Sequence, residues 1–123
     1  MKRKKIPRIF ILLLCFSGLF TTCSPIQKNQ QLYFGIQAAQ RELWDEAIFR
    51  WKKVILMNPD SAAAHNNLAV AYEKKGMFKE AQEEYDKALE LNPHNKYIQA
   101  NYKKFQRNLE SKSGDQNENK DSP

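Results

Sequence analysis

Side chains that do chemistry are scarce in this sequence. It holds two histidines and two cysteines, and it has no His-x-x-x-His, Cys-x-x-Cys or glycine-rich phosphate loop. His65 and His94 lie far apart, and Cys15 and Cys23 both fall near the N-terminus. Catalysis needs a nucleophile, a base or metal ligands that converge. Neither an enzyme nor a metal or cofactor site is therefore expected. His65 is expected to pack on a helix face and His94 to sit in a loop between helices. A continuous apolar stretch of roughly 20 residues, the length that spans a bilayer, is also missing. At 123 residues the chain has room for one domain.

Acidic residues are absent from the first part of the chain, and this changes what the net charge of +6 means. Lys2, Arg3, Lys4, Lys5 and Arg8 supply five of the positive charges, whereas from Cys23 onward 15 basic residues face 14 acidic ones. The basicity belongs to a leader, so nucleic acid is not expected as a partner. After Arg8 comes the twelve-residue apolar run Ile9 to Phe20. A basic segment followed by a short apolar run reads as a secretory signal peptide over residues 1–22, removed from the mature chain. The alternative is an uncleaved anchor that keeps the domain at a membrane.

Cys23 follows directly, in Leu19-Phe20-Thr21-Thr22-Cys23-Ser24. This resembles the lipobox of bacterial lipoproteins, in which cleavage before a cysteine is followed by acylation of its thiol. The sequence departs from that pattern at Thr22, where Gly, Ala or Ser is usual, and at Phe20, where Leu is usual. Removing the leader also removes Cys15, so Cys23 is left without a disulfide partner, and lipid would protect a lone thiol in an oxidising compartment. The resemblance implies palmitate-type acylation at Cys23 and a lipid-anchored place in the bacterial cell envelope. Ser24 is permissive for the outer membrane, facing the periplasm or the exterior. Residues 23–27 would form the tether.

What the sequence does have is a repeat. Shifted by 34 positions, Trp44 meets Phe78, Glu46 meets Glu80, Ala47 meets Ala81 and Trp51 meets Tyr85. Further on, Ile55 meets Leu89, Met57 meets Leu91, and Asn58-Pro59 meets Asn92-Pro93. Trp44, Ala47, Ile48, Trp51, Val54 and Ile55 mark one face of a helix, as do Phe78, Ala81, Tyr85, Ala88 and Leu89. A second helical segment precedes each, over 29–42 and 62–75. Gly76 suits the left-handed turn after a helix, and Pro59 and Pro93 stop the second helix of each unit.

Residues 62–95 resemble a tetratricopeptide (TPR) unit. Leu68, Ala69, Tyr72, Gly76, Phe78, Ala81, Tyr85, Ala88 and Pro93 match the family pattern, while His65 stands where Trp is frequent. Residues 28–61 are a looser copy, matching at Phe34, Gly35, Trp44, Ala47, Trp51 and Pro59. Here Ala38 replaces the usual Tyr and Glu42 the usual Gly. Ile98, Tyr102, Phe105 and Leu109 begin a third unit, but Lys103 occupies the position of Gly35 and Ala69, which must be small where a partner helix packs. Residues 96–110 therefore read as a cap helix, and 111–123, polar throughout, as a disordered tail. The expected fold is all-α: two TPR helix-turn-helix hairpins over 28–110 with a C-terminal capping helix, a short α-solenoid.

In this family the first helix of each unit lines a concave groove. By register the lining would be Leu32, Ile36, Ala39 and Gln40, then Asn66, Val70, Glu73 and Lys74. Tyr97, Ala100, Lys104 and Arg107 complete it, so the groove is apolar at one end, mixed in the middle and basic at the other. A peptide segment or partner helix would lie along it, with acidic groups near Lys104 and Arg107. The clamp by which some TPR domains hold a C-terminal carboxylate needs Lys and Asn where Leu32 and Ile36 stand, so that mode is not implied. Leu32, Tyr33, Phe34 and Ile36 crowd the first helix, and this end is expected to be covered by a partner or a second copy. The function implied is a membrane-tethered scaffold for other envelope proteins. The alternatives are a subunit of an inner-membrane complex held by an uncleaved anchor, or a non-catalytic accessory to an envelope enzyme.

Overall fold

The computed structural model describes residues 25–118, and within them every regular element is a helix. In chain order these are α1 (Pro25–Gln40), α2 (Trp44–Met57), α3 (Ala62–Lys74), α4 (Phe78–Leu91) and α5 (Lys96–Glu118). Short turns force neighbours to run antiparallel, so α1 pairs with α2 and α3 with α4. Helix α2 packs on α3, and α5 rests on both α3 and α4. The result is a short all-α solenoid of two hairpins closed by an end helix.

The 34-residue period is repeated in the packing. Ala47, Trp51 and Val54 are the buried residues of α2, and Ala81, Tyr85 and Ala88 hold the same positions in α4. Helix α3 touches α2, α4 and α5, and it buries the most sides: Ala64, Leu68, Ala69, Ala71 and Tyr72 all lie in the core. Helix α5 contributes Ile98 and Phe105, with the Phe105 ring 5.2 Å from that of Tyr85. Lys103 is exposed, and among the described residues no helix follows α5.

Helix ends repeat as well. Ser61 Oγ accepts from the Ala64 N–H at 3.3 Å. One period later, Asn95 Oδ1 accepts from the N–H groups of Tyr97 and Ile98 at 3.0 and 3.2 Å. Each occupies the N-cap position that such side chains favour. Gly76 takes the left-handed turn between α3 and α4, with φ of 74°. Glu42 stands at the matching position between α1 and α2 with φ of 58°, a conformation in which its Cβ is strained.

Three boundaries differ from the sequence expectation by two residues or more. Helix α1 begins at Pro25, inside the segment read as a tether; proline is well suited to a first helical turn, whose N–H groups have no helical acceptor. The same helix ends at Gln40, short of residue 42, because Glu42 has turned left-handed. Helix α5 runs past residue 110 to Glu118, so the first part of the polar segment expected to be disordered is helical. Lack of apolar residues does not forbid a helix where proline is absent, and Lys112 helps to hold this one. Its ammonium lies 4.4 Å from the centre of the Phe78 ring, a cation–π contact with the second hairpin. The leader, Cys23 and residues 119–123 lie outside the described residues.

Candidate functional site

Helices α3 and α5 lie side by side along the face formed by the first helices of the units. Two rungs join them. Asn101 Nδ2 donates to Asn66 Oδ1 at 3.1 Å, and Asn108 Nδ2 donates to Glu73 Oε1 at 3.0 Å. From α4 beneath, the Tyr85 hydroxyl donates to Glu73 Oε2 at 3.2 Å. Both Glu73 oxygens are thus held by neutral donors. Burial, and then the nearby Glu73 carboxylate, push the Tyr85 phenol well above the ordinary tyrosine range.

Above these rungs is a small cleft of about 100 Å³, lined by Val70, Glu73, Lys74, Tyr85, Asn101, Lys104 and Asn108. Lys74 and Lys104 are exposed, and neither has an ion-pair partner among the described residues. The cleft offers an aliphatic wall, amide and phenol dipoles, the Glu73 carboxylate and two ammonium groups. It carries no convergent nucleophile, base or metal ligands.

The structure gathers four of the groove residues expected from sequence, Val70, Glu73, Lys74 and Lys104, around this cleft. It separates the others. Asn66 is 8% exposed and its amide is spent on Asn101 and Asn67, so it supports the cleft from within. Leu32 is half-buried against the core, and its carbonyl accepts from Trp51 Nε1 at 3.3 Å. Ile36 and Gln40 are exposed on α1, as Tyr97 and Arg107 are on α5, outside the cleft lining. Sequence reasoning did not find Tyr85, Asn101 and Asn108. A signal for the two amides was available, since asparagine is a poor helix former and here recurs inside helices at Asn66, Asn101 and Asn108.

His65 is buried between the hairpin's helices. Its Nε2 faces the Pro59 carbonyl at 2.8 Å, and its Nδ1 lies 2.6 Å from Glu84 Oε2. A carbonyl can only accept, so Nε2 carries a hydrogen. Glu84, on the second helix of the hairpin, is the partner of this histidine. Lys87 pairs with Glu90 at 3.0 Å. Among the described residues no three His, Cys, Asp or Glu side chains are grouped to hold a metal. Other recesses among the described residues lie away from the cleft. One of about 650 Å³ at the hairpin turns is lined by Leu43, Trp44 and Lys75, the last paired with Asp45. One of about 260 Å³ lies beside Phe34, Arg41 and Arg50.

Comparison with known proteins agrees with this geometry. Residues 62–95 match the family model of the tetratricopeptide repeat, and residues 39–76 match a second model described as TPR repeat. The chain is also similar to Protein O-mannosyl-transferase TMTC1 of Homo sapiens, with 32% identity over 79 residues. That match covers 63% of this chain and 9% of the human protein, so the chain spans less than a tenth of that relative. The chain thus carries TPR repeats, and its five described helices form a short solenoid-like TPR fold. TPR repeats are modules of protein–protein interaction, and the coarse function that follows is that of a protein-binding scaffold. No helix among the described residues is long and apolar enough to cross a membrane.

Proposed function

We propose that this chain is a membrane-tethered TPR lipoprotein of the bacterial cell envelope. In this reading Cys23 carries the lipid, and the chain binds a segment of another envelope protein in its concave groove without catalysing a reaction. The observation that carries the binding half is the α3–α5 cleft, where Lys74 and Lys104 stand unpaired over a floor whose own polar atoms are already satisfied. A groove prepared in this way keeps its shape when empty, which lowers the ordering cost of binding. The partner segment would bring a carboxylate to the two ammonium groups and lay its backbone over Val70. The tethering half is supported by the basic leader, the short apolar run and the cysteine that follows them. Two acyl chains anchor a protein stably without a spanning helix.

Two measurements test the halves separately. The mass of the membrane-extracted protein should show loss of residues 1–22 and an acyl-sized gain, both absent in Cys23→Ala. A full-length, unmodified mass would instead leave Ile9 to Phe20 as an anchor. For the groove, a photoreactive residue at position 104 should capture a specific envelope protein in cells, while one at position 87 on the outer face should not. Equal capture at both positions, or none at 104, would overturn the groove reading.

A further inference from the structure

The outer faces of the two hairpins have opposite chemistry at matching positions. Along α2, Phe49, Lys52, Lys53 and Leu56 share one face, and all four are exposed. Shifted by one period, the same face of α4 carries Glu83, Asp86, Lys87 and Glu90. The backbone is the same, but the first hairpin shows two large apolar groups with two cations, and the second shows three carboxylates and one lysine.

The apolar and cationic groups of the first hairpin are interleaved. The Arg50 guanidinium lies 5.7 Å from the ring centres of both Phe34 and Phe49, and Lys53 Nζ lies 5.8 Å from that of Phe49. Leu56 is 82% exposed at the end of α2, and Ile26 is 77% exposed at the start of α1. Because the two helices are antiparallel, both lie at the end of the hairpin from which the chain leads back to Cys23. The step from Cys23 to Pro25 reaches at most about 7 Å.

From these observations we infer that the outer face of α2 docks on an anionic lipid surface. Aromatic and aliphatic groups that alternate with Lys and Arg suit the headgroup–acyl boundary, where rings sit at headgroup level and cations meet lipid phosphates. A second copy of the chain is a poorer occupant. Its acidic α4 face could meet the lysines but has no apolar side chain to cover Phe49 and Leu56. The inference rests on the tethered reading: a lipid on Cys23 would hold this end at the bilayer, and docking then sets the orientation. The acidic outer face of α4 would be kept off the membrane, leaving the groove open to a partner.

The test uses the membrane-extracted protein with its lipid, reconstituted in vesicles of phosphatidylglycerol with phosphatidylcholine and in vesicles of phosphatidylcholine alone. Sedimentation reports tethering, and acylation of lysines mapped by mass spectrometry reports docking. Tethering predicts sedimentation with both vesicles. Docking predicts that labelling of Lys53 falls roughly fivefold in the anionic vesicles, the effect of about one favourable surface charge. Lys79 and Lys87 should not change, and added salt should reverse the protection. A Phe49→Glu/Leu56→Glu variant alters only exposed positions; it should keep its helix content and sediment, yet leave Lys53 unprotected. Sedimentation with Lys53 fully reactive overturns docking and leaves tethering standing, whereas failure to sediment with either vesicle overturns the tether and the docking that rests on it. Protection that grows with protein concentration in neutral vesicles would assign the face to a second copy and overturn the lipid assignment.

Discussion

Hairpin α1–α2 closes with Trp51 laid against Gly35, and hairpin α3–α4 closes with Tyr85 where the matching small residue is Ala69. The φ angle repeats closely where the second helices end: Asn58 and Asn92 cap α2 and α4 with φ of −149° and −146°. The side chains between them were fitted pair by pair. A larger ring in the first hairpin takes the place of a methyl group, and a smaller ring in the second leaves room for one. Repeat architecture therefore fixes where contacts occur, while each hairpin settles its own size and polarity at those places.

The largest effect is expected from exchanging the small residue alone. In Gly35→Ala the new Cβ would overlap the Trp51 indole, with Cδ1 and Cε2 at 2.7 Å and Nε1 nearer still. Gly35 lies inside a helix and Trp51 is 3% exposed, so neither can move aside cheaply. A loss of about 3 kcal/mol is expected from such overpacking, read from the urea midpoint. Adding Trp51→Tyr, which copies the second hairpin, should recover much of it. If the double variant is no better than the single one, the pairwise fit is not what separates the hairpins.

Next come the polar latches between helices, which also repeat. Arg50 donates to Gln31 at 3.1 Å in the first hairpin, and Glu84 meets His65 in the second; each pair spans 19 positions. The two latches are buried alike, with His65 7% and Gln31 8% exposed, so they differ in what each deletion leaves unpaired. Glu84→Ala would leave His65 Nδ1 unpaired in the interior, at a cost of about 2 kcal/mol. Gln31→Ala should cost well under about 1 kcal/mol, because Arg50 keeps Glu46 at 2.6 Å and is partly in water. Equal losses would show that the partner Arg50 retains does not distinguish the two.

A stabilising change should come from the turns. Glu42 holds φ of 58° where its counterpart Gly76 holds 74°. Glu42→Gly removes a strained Cβ and should stabilise the fold by up to about 1 kcal/mol, net of the entropy glycine returns to the unfolded chain. Gly76→Ala should destabilise it by a similar amount through φ alone, since nothing stands within 4 Å of the added methyl. A thermal midpoint that moves the same way in both variants would contradict this.

These contrasts explain how much was legible in the sequence. The all-α hairpin order could be read because apolar spacing reports directly on which face is buried, and the 34-residue shift aligns the two units. The left-handed turn at Gly76 was visible because glycine marks it; Glu42 could be placed opposite that glycine, but its conformation is set by the backbone and not by its own chemistry. The cleft was half legible. Register put Val70, Glu73, Lys74 and Lys104 on one side, but the rungs from Asn101 and Asn108 depend on how closely α5 approaches α3. No periodicity encodes that distance. The extent of α5 escapes the sequence for a related reason, as an apolar count cannot see the Lys112 ammonium lying over Phe78.

Tyr85 gives the subtlest contrast, because its counterpart Trp51 does not titrate. Tyr85→Phe deletes one hydrogen bond, and Glu73 keeps Asn108, so a loss of about 1 kcal/mol is expected near neutral pH. Burial and Glu73 raise the folded-state pKa of the phenol above the unfolded value of 10.0. The folded chain then holds its proton at pH values where the unfolded chain has lost it. The associated stability is complete below pH 10.0 and drains away as pH rises beyond it. Wild-type stability should therefore fall more steeply above that pH than stability of Tyr85→Phe, and the two curves should converge. Parallel curves in urea melts across the alkaline range would mean that the phenol is not held neutral by its burial, and that alkaline sensitivity does not belong to the second hairpin.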